Sequence, residues 1–219
     1  MIIQKNLFVL CIASSCLIFN GCSQTTKKND STLKSASILE NNYQETCNWC
    51  GTSEAPGNIT SKTIIPPKGE LGEKLIISGT IYLPDKKTPA KDIIVYVYHT
   101  NIEGIYPKIG DEKGNGQYHG YLRGWIKTDS NGKYEFETIR PAPYHNHGGE
   151  PAHIHYNIQG PDHPEYWLTA LWFSDDPRVT DDYVTSIKRS GGFSNIITLK
   201  KDKNNVLRGE RNIILERFE

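Results

Sequence analysis

The stretch that decides the fold is residues 92–100, with the sequence DIIVYVYHT. Its β-branched and aromatic side chains form two alternating sets: Ile93, Val95 and Val97 in one, and Ile94, Tyr96 and Tyr98 in the other. Alternation with a period of two places the two sets on opposite faces of an extended chain. The stretch therefore predicts a β-strand with one face in a core.

Similar stretches recur along the rest of the chain. They are short and rich in β-branched and aromatic residues, and they lie at Lys74–Leu83, Leu122–Thr128, Lys133–Thr138, Ala152–Gln159, Tyr166–Phe173, Asn195–Leu199 and Asn212–Arg217. Turn residues separate them, as in Asp129-Ser130-Asn131-Gly132 and Gly160-Pro161-Asp162. No segment long enough for a typical helix has helical periodicity. Short strands at regular spacing predict an all-β fold, an antiparallel β-sandwich with little helix.

The first 21 residues predict a signal peptide. Lys5 precedes an apolar run at residues 7–19, LFVLCIASSCLIF, which is too short to span a bilayer comfortably. Gly21-Cys22 comes soon after it, and a small residue before Cys at this place is typical of a bacterial lipoprotein signal. We therefore expect Cys22 to carry a lipid and the protein to be exported and anchored to a membrane, in the periplasm or at the cell surface. An ordinary cleaved signal or an uncleaved anchor is the alternative.

The composition divides the rest of the chain into a tether and one domain. Residues 22–46 are polar and rich in Ser, Thr, Asn and Lys, which predicts a flexible tether. Residues 47–219 then form a single domain, long enough for one sizeable core. The chain has 25 Lys and Arg against 25 Asp and Glu, so its formal net charge is zero. This balance gives no electrostatic footprint for nucleic acid.

Cys47 and Cys50 lie in the sequence Cys-Asn-Trp-Cys. In an exported protein, two cysteines at this spacing predict a short disulfide. A thioredoxin-like redox pair needs a strand and helix context that is missing here, and a zinc site needs further ligands. Free or metal-bound cysteines are the alternatives to the disulfide.

Two histidines and two tyrosines are candidate metal ligands. His153 and His155 are two residues apart, so a strand would point both imidazoles to the same side, with Ile154 on the opposite face. Tyr144 follows Pro141-Ala142-Pro143, whose prolines restrict the backbone, and Tyr106 ends the motif Gly-Ile-Tyr. Alone, a His-x-His pair or a single tyrosine is more often structural than functional.

Together these motifs resemble the intradiol ring-cleavage dioxygenases, the family of protocatechuate 3,4-dioxygenase and catechol 1,2-dioxygenase. The resemblance covers roughly residues 74–175. The segments that carry it are Gly79-Thr80-Ile81-Tyr82, Val95-Tyr96-Val97-Tyr98-His99, Gly104-Ile105-Tyr106, Leu122-Arg123-Gly124, Pro141-Ala142-Pro143-Tyr144 and Pro151-Ala152-His153-Ile154-His155.

The resemblance implies a transthyretin-like sandwich that carries a non-haem Fe(III) site. Tyr106, Tyr144, His153 and His155 would be the ligands, and a catechol-type aromatic would be cleaved with O₂ between its two hydroxyl-bearing carbons. Tyr144 would leave the metal when substrate binds and act as a base. The donor set agrees, because a hard, highly charged cation prefers oxyanion and imidazole ligands to thiolates.

One position departs from the family pattern. Family enzymes commonly carry an arginine where this chain has Glu150, and a carboxylate cannot replace a guanidinium. We expect Arg123 to take this catalytic role, with Arg140 as the other candidate. The alternative is an exported iron- or catecholate-binding sandwich without ring cleavage, and a structural domain without metal is a third hypothesis.

Overall fold

Strands make up most of the regular structure in the parts of the chain that the computed structural model describes, which are residue 47, residues 49–146 and residues 148–218. The predicted signal peptide, tether and lipid site at Cys22 lie outside these parts. No helix within them is long and apolar enough to cross a membrane.

The described residues contain eleven strands and two short helices. The strands are β1 (Lys62–Ile64), β2 (Lys74–Tyr82), β3 (Ile94–Tyr98), β4 (Arg123–Lys127), β5 (Lys133–Ile139), β6 (His153–Gly160), β7 (His163–Phe173), β8 (Ile196–Ile197), β9 (Lys200–Lys201), β10 (Leu207–Glu210) and β11 (Ile213–Ile214). The helices are α1 (Gly116–His119) and α2 (Asp181–Ser186), and a 3₁₀ turn spans Thr52–Glu54.

The strands form two sheets. The first has the order β1-β5-β2-β10-β9, with β11 also paired to β2, and the second has the order β4-β3-β6-β7-β8. The long neighbours are antiparallel, as β2 is to β5 and β3 is to both β4 and β6. Short strands add parallel pairs at β1, β8, β10 and β11. The predicted all-β sandwich is thus confirmed, and its sheets also contain parallel pairs.

The core lies between the two sheets. It combines one face of β2 and β5 with one face of β3, β6 and β7, and its fully buried members include Leu75, Ile77, Phe136, Val95, Val97 and Ile154. Burying each such side chain contributes about 1.5–3 kcal/mol. Because Val95 and Val97 face this core, Tyr96 and Tyr98 lie on the opposite face of β3. That outer face carries the candidate site.

Every strand predicted from alternation has a counterpart in the structure. The predicted strand at 92–100 is β3, and the one at 152–159 is β6. The predicted strands at 195–199 and 212–217 shrink to two-residue pairs. Strands β1, β9 and β10 were not predicted, because they are short and their side chains do not alternate clearly.

Arg211 is a charged residue inside the core, with 2% of its surface exposed. Its guanidinium lies 4.1 Å from the centre of the Tyr156 ring, and Nη2 donates a hydrogen bond to the Thr169 carbonyl oxygen at 2.6 Å. Nη1 has no hydrogen-bond partner among the described residues. Burial lowers the pKa of Arg211, because a charged group is poorly solvated there.

The structure joins Cys47 and Cys50 in a disulfide, with Cα atoms 5.2 Å apart. Trp49, inside this loop, packs edge-on against Tyr118 of α1 with ring centres 4.5 Å apart. The following residues are fixed to the second sheet, since Trp125 Nε1 donates to the Gly51 carbonyl oxygen at 2.6 Å. This N-terminal segment therefore borders the outer face of β3 and β4.

Candidate metal centre

Strand β6 presents two imidazoles side by side. His153 and His155 point to the outer face of the sheet, and Ile154 between them is fully buried in the core. Their Nε2 atoms are 3.0 Å apart. Two nitrogens this close, with one strand fixing both, are arranged as a chelating pair requires.

Two loops bring the tyrosines to the histidines. The loop after β3 meets the loop after β5 through backbone hydrogen bonds from Ala142 N to Asn101 O and from His145 N to Gly104 O, at 3.1 and 3.0 Å. Gly104 has φ of +73°, and a Cβ there would lie 2.0 Å from the Pro143 carbonyl oxygen. Glycine is therefore required where the loops touch. Their contact places Tyr106 and Tyr144 together.

The two phenols and two imidazoles converge on one point. Tyr144 Oη is 2.6 Å from Tyr106 Oη, 2.9 Å from His155 Nε2 and 3.2 Å from His153 Nε2. Ligand atoms that share a metal at about 2.1 Å are separated by roughly 3.0–3.4 Å. The four donor atoms are thus spaced much as ligands of one ion are spaced.

Burial favours the neutral form of all four groups in the metal-free protein. It lowers the pKa of His153 and holds that of His155 well below its usual range, with the neighbouring His153 adding to the effect at His155. Burial also raises the pKa of Tyr106 and of Tyr144. Neutral imidazole is the form that binds a metal, and a metal ion offsets the cost of ionising a buried phenol.

The donor set fits a hard trivalent cation. Within the described residues, no group of three or more His, Cys, Asp and Glu side chains could hold a metal, so a metal site here depends on the tyrosines. Two imidazoles with two phenol oxygens suit iron better than zinc, which favours His with Cys or carboxylate.

Backbone contacts orient His153. Its Nδ1 lies 2.7 Å from the Pro151 carbonyl oxygen, which fixes the proton on Nδ1 and leaves the Nε2 lone pair free. The buried Asp176 carboxylate accepts a hydrogen bond from Ala152 N at 2.7 Å. The Pro-Ala-His segment therefore enters β6 in a fixed conformation.

Tyr98 orients His155, a role that sequence analysis missed. Its ring stacks on His155 at 4.5 Å and on His119 at 3.6 Å, with interplanar angles of 15° and 6°. His119 Nδ1 in turn lies 2.8 Å from Tyr96 Oη. Burial lowers the pKa of His119 to about 4. The alternation of β3 put Tyr96 and Tyr98 on one face, but the pairing of Tyr98 with His155 required the sheet register.

The two arginines considered as replacements at the Glu150 position have other partners. Arg123 Nη1 is 2.8 Å from Glu54 Oε2, and its guanidinium lies 5.0 Å from the centre of the Trp125 ring. Arg140 makes a bidentate pair with Asp175, with both distances 2.8 Å. The structure gives Arg123 a partner in the N-terminal segment, and its catalytic role stays a prediction.

His99 is structural. It is fully buried, and its two ring nitrogens lie 2.7 Å from the Thr100 carbonyl oxygen and 2.6 Å from Thr138 Oγ1. Burial lowers its pKa to about 4.

Two cavities flank the four donor groups. One of about 400 Å³ lies on the histidine side, and its lining includes Glu150, His153, His155, Trp167, Trp172 and Tyr183. The other, of about 570 Å³, lies on the tyrosine side, and its lining includes Tyr106, Tyr118 and Tyr144. A small aromatic molecule fits the volume of the first cavity, whose lining includes the aromatic side chains of Trp167, Trp172 and Tyr183.

Comparison with known proteins shows the family to which the chain belongs. The profile of the family Dioxygenase_C, described as Dioxygenase, matches residues 53–210, well over half of the chain. The chain belongs to the intradiol dioxygenase family. It is 31% identical to catechol 1,2-dioxygenase 1 of Acinetobacter lwoffii over 138 residues, which are 56% of this chain and 43% of that enzyme.

A second relative of this chain is the protocatechuate 3,4-dioxygenase beta chain of Burkholderia cepacia. The two are 29% identical over 117 residues, covering 51% of this chain and 49% of the other. The chain thus spans about half the length of the curated relatives that it matches.

Solved structures share the fold of this chain. A catechol 1,2-dioxygenase from Acinetobacter sp. ADP1, inhibited by bound mercury, superposes with a TM-score of 0.58 at 23% identity, covering 87% of this chain and 70% of the other. The dioxygenase domain of a carbohydrate-binding fusion from Streptomyces sp. SirexAA-E gives 0.55 at 20% identity, covering 74% and 91%. At these identities the likeness concerns the fold alone.

Proposed function

We propose that this chain is an Fe(III)-dependent intradiol dioxygenase that cleaves a catechol-type aromatic with O₂. The observation that carries the proposal is the cluster of Tyr106, Tyr144, His153 and His155, whose donor atoms lie 2.6–3.2 Å from their neighbours. Membership of the intradiol family supports it. The ring bond between the two hydroxyl-bearing carbons would break, and both oxygen atoms would enter a muconate-type diacid.

The chain's residues have separable roles in this proposal. Iron bound here would withdraw electron density from a catechol and make its ring carbons reactive toward O₂. His153 and His155 would hold the ion from the rigid strand β6. Tyr144 Oη contacts the other three donors, so it is placed to exchange a proton with a catechol hydroxyl that arrives at the same point.

The cavity on the histidine side would hold the aromatic ring. It opens directly onto His153 and His155, and Trp167 and Trp172 supply flat apolar walls. Trp167 also packs edge-on against His155, with ring centres 5.9 Å apart. A planar ring between such walls is oriented and shielded from water.

The experiment is iron loading of residues 47–219 followed by visible spectroscopy and oxygen uptake. A tyrosinate-to-Fe(III) charge-transfer band, its shift on adding catechol, and stoichiometric O₂ consumption are the expected results. Tyr106→Phe and His155→Ala should lose the band, while Tyr82→Phe, on β2 and outside the cluster, should keep it.

Three outcomes contradict different parts of the proposal. A colourless protein that retains no iron would rule out the metal centre. A coloured protein whose band shifts with catechol but which consumes no oxygen would identify a binding module without ring cleavage. If the band survives both Tyr106→Phe and His155→Ala, the ligand assignment is wrong.

We also propose that the protein is an exported lipoprotein with its lipid on Cys22, as the apolar run and Gly21-Cys22 suggest. Metabolic labelling with a fatty acid in a bacterial host should mark the wild type and not Cys22→Ala. Equal labelling of both proteins would contradict the assignment.

A further inference from the structure

The cavity on the histidine side combines aromatic walls with a carboxylate. Trp172 lies on β7, Tyr183 lies on α2, and their ring centres are 5.1 Å apart. Trp167 forms a further wall, and Glu150 stands exposed at the rim. Aromatic faces beside an acidic group form an environment that favours an organic cation.

Glu150 is available to a ligand. Its carboxylate makes no ion pair within the described residues, and no hydrogen bond there occupies it. The negative charge of Glu150 also acts on other groups that line the cavity. Burial raises the pKa of Tyr183 to about 12, and the nearby charge of Glu150 adds to this effect. Glu150 therefore places a carboxylate in the lining of the cavity, next to the site where a catechol would bind.

Lys188 is the one cation in the lining of this cavity within the described residues. It is exposed, it forms no ion pair in that part of the chain, and its charge does not contribute to the shifted pKa values of Tyr183, Tyr144 or His153. A lysine on a long flexible stem keeps its ammonium in water at low cost. Glu150, rather than Lys188, thus sets the potential around the ring site.

We propose that this cavity selects catechols that carry a cationic side chain, with the ammonium group held between Glu150 and the aromatic walls. The inference rests on the proposed function and adds the substrate class. A neutral side chain gains only apolar contact there, and a carboxylate side chain is repelled by Glu150. An ammonium group gains a charge pair with Glu150 and a cation–π contact with Trp167, Trp172 or Tyr183.

The first test measures affinity by the shift of the charge-transfer band of the iron-loaded protein. Three catechols of similar size are compared, with an aminoethyl, an ethyl and a carboxyethyl side chain. The aminoethyl catechol should bind about tenfold more tightly than the ethyl catechol, and the carboxyethyl catechol more weakly than both. Glu150→Gln should remove the preference for the cation. Glu216→Gln, which removes an exposed carboxylate outside the cavity, should keep it.

The second test needs no iron and separates this inference from the proposed function. Quenching of tryptophan fluorescence in the metal-free protein, with Trp167 and Trp172 in the cavity wall, reports binding of phenylethylammonium and of phenylethanol. Phenylethylammonium should bind to the wild type more tightly than phenylethanol does. The two compounds should bind to Glu150→Gln with equal affinity. Lys188→Gln should retain the preference for the cation.

The outcomes of the two tests decide whether Glu150 makes the cavity select cationic catechols. Equal affinity for charged and neutral compounds in both tests, or a preference that persists in Glu150→Gln, would overturn the proposed selectivity. If Lys188→Gln reversed the preference, Lys188 rather than Glu150 would control the selectivity, and the proposal would be wrong. If no catechol shifts the band while the metal-free protein still prefers the ammonium compound, ring cleavage fails as the function and the cation site stands.

Discussion

The hydroxyl oxygens of Tyr106 and Tyr144 lie 2.6 Å apart although 38 residues separate them in the chain. Each tyrosine lies within a loop outside the sheets, so neither strand geometry nor the core brings them together. Their contact depends on the two loops, which meet at Gly104 and Pro143. The proposed metal centre therefore depends on backbone packing at one glycine.

Gly104→Ala should disconnect the two tyrosines. The new Cβ would lie 2.0 Å from the Pro143 carbonyl oxygen, and φ of +73° is itself unfavourable for alanine. We expect at least a tenfold loss of iron affinity, measured by competition with a chelator. Gly148→Ala is the matched control, because a Cβ there meets nothing within 4 Å. Equal iron affinity in Gly104→Ala and wild type would contradict this account.

The parts of the fold that depend on local pattern could be predicted from the sequence. The alternation in β3 and β6 predicted two long strands, and the two-residue spacing of His153 and His155 predicted that they share a face. The four candidate ligands followed from motifs, and the structure brings all four together.

The parts that sequence analysis missed depend on pairing between distant residues. Strand β10 has no clear alternation, and it exists because Leu207 and its neighbours pair in parallel with β2. Glu54 engages Arg123 from 69 residues away, and no local pattern predicts a partner for that guanidinium. The stacking of Tyr98 on His155 likewise requires the register of β3 against β6.

His99 should make the metal-free protein sensitive to acid. Burial lowers its pKa from 6.5 to about 4, so the folded state favours the neutral ring. The contribution of neutral His99 to the stability of the folded state is therefore complete above pH 6.5. It decreases below that pH and is lost as the pH falls through about 4, because in this range the unfolded state binds a proton that the folded state resists. The loss is on the order of 3 kcal/mol.

Urea unfolding at a series of pH values measures this effect. His99→Gln should be less stable at neutral pH, and its free energy of unfolding should fall less steeply between pH 6.5 and 4. Parallel curves for His99→Gln and wild type would show that another group controls the response to acid.

Arg211 should be replaceable by a large apolar residue. Its guanidinium is buried without a carboxylate partner among the described residues, and Nη1 makes no hydrogen bond there. Arg211→Met keeps most of the volume and removes the buried charge, so we expect stability within about 1 kcal/mol of wild type or above it. Arg211→Ala leaves a cavity against Tyr156 and should cost about 3 kcal/mol. Similar losses in both variants, measured by urea unfolding, would show that the charge itself stabilises the core.

Tyr98 should control iron affinity through the orientation of His155. The two rings stack at 4.5 Å, and His119 closes the other face of Tyr98 at 3.6 Å. Tyr98→Leu removes the flat surface, which leaves the His155 ring free to rotate. Loss of a group that orients a metal-bound histidine typically costs 10- to 100-fold in metal affinity. Tyr98→Phe keeps the ring and should bind iron nearly as tightly as wild type. Chelator competition gives both affinities, and circular dichroism checks that each variant is folded. If Tyr98→Leu is folded and binds iron as tightly as Tyr98→Phe, stacking does not position His155, and the strand backbone alone holds the imidazole in place.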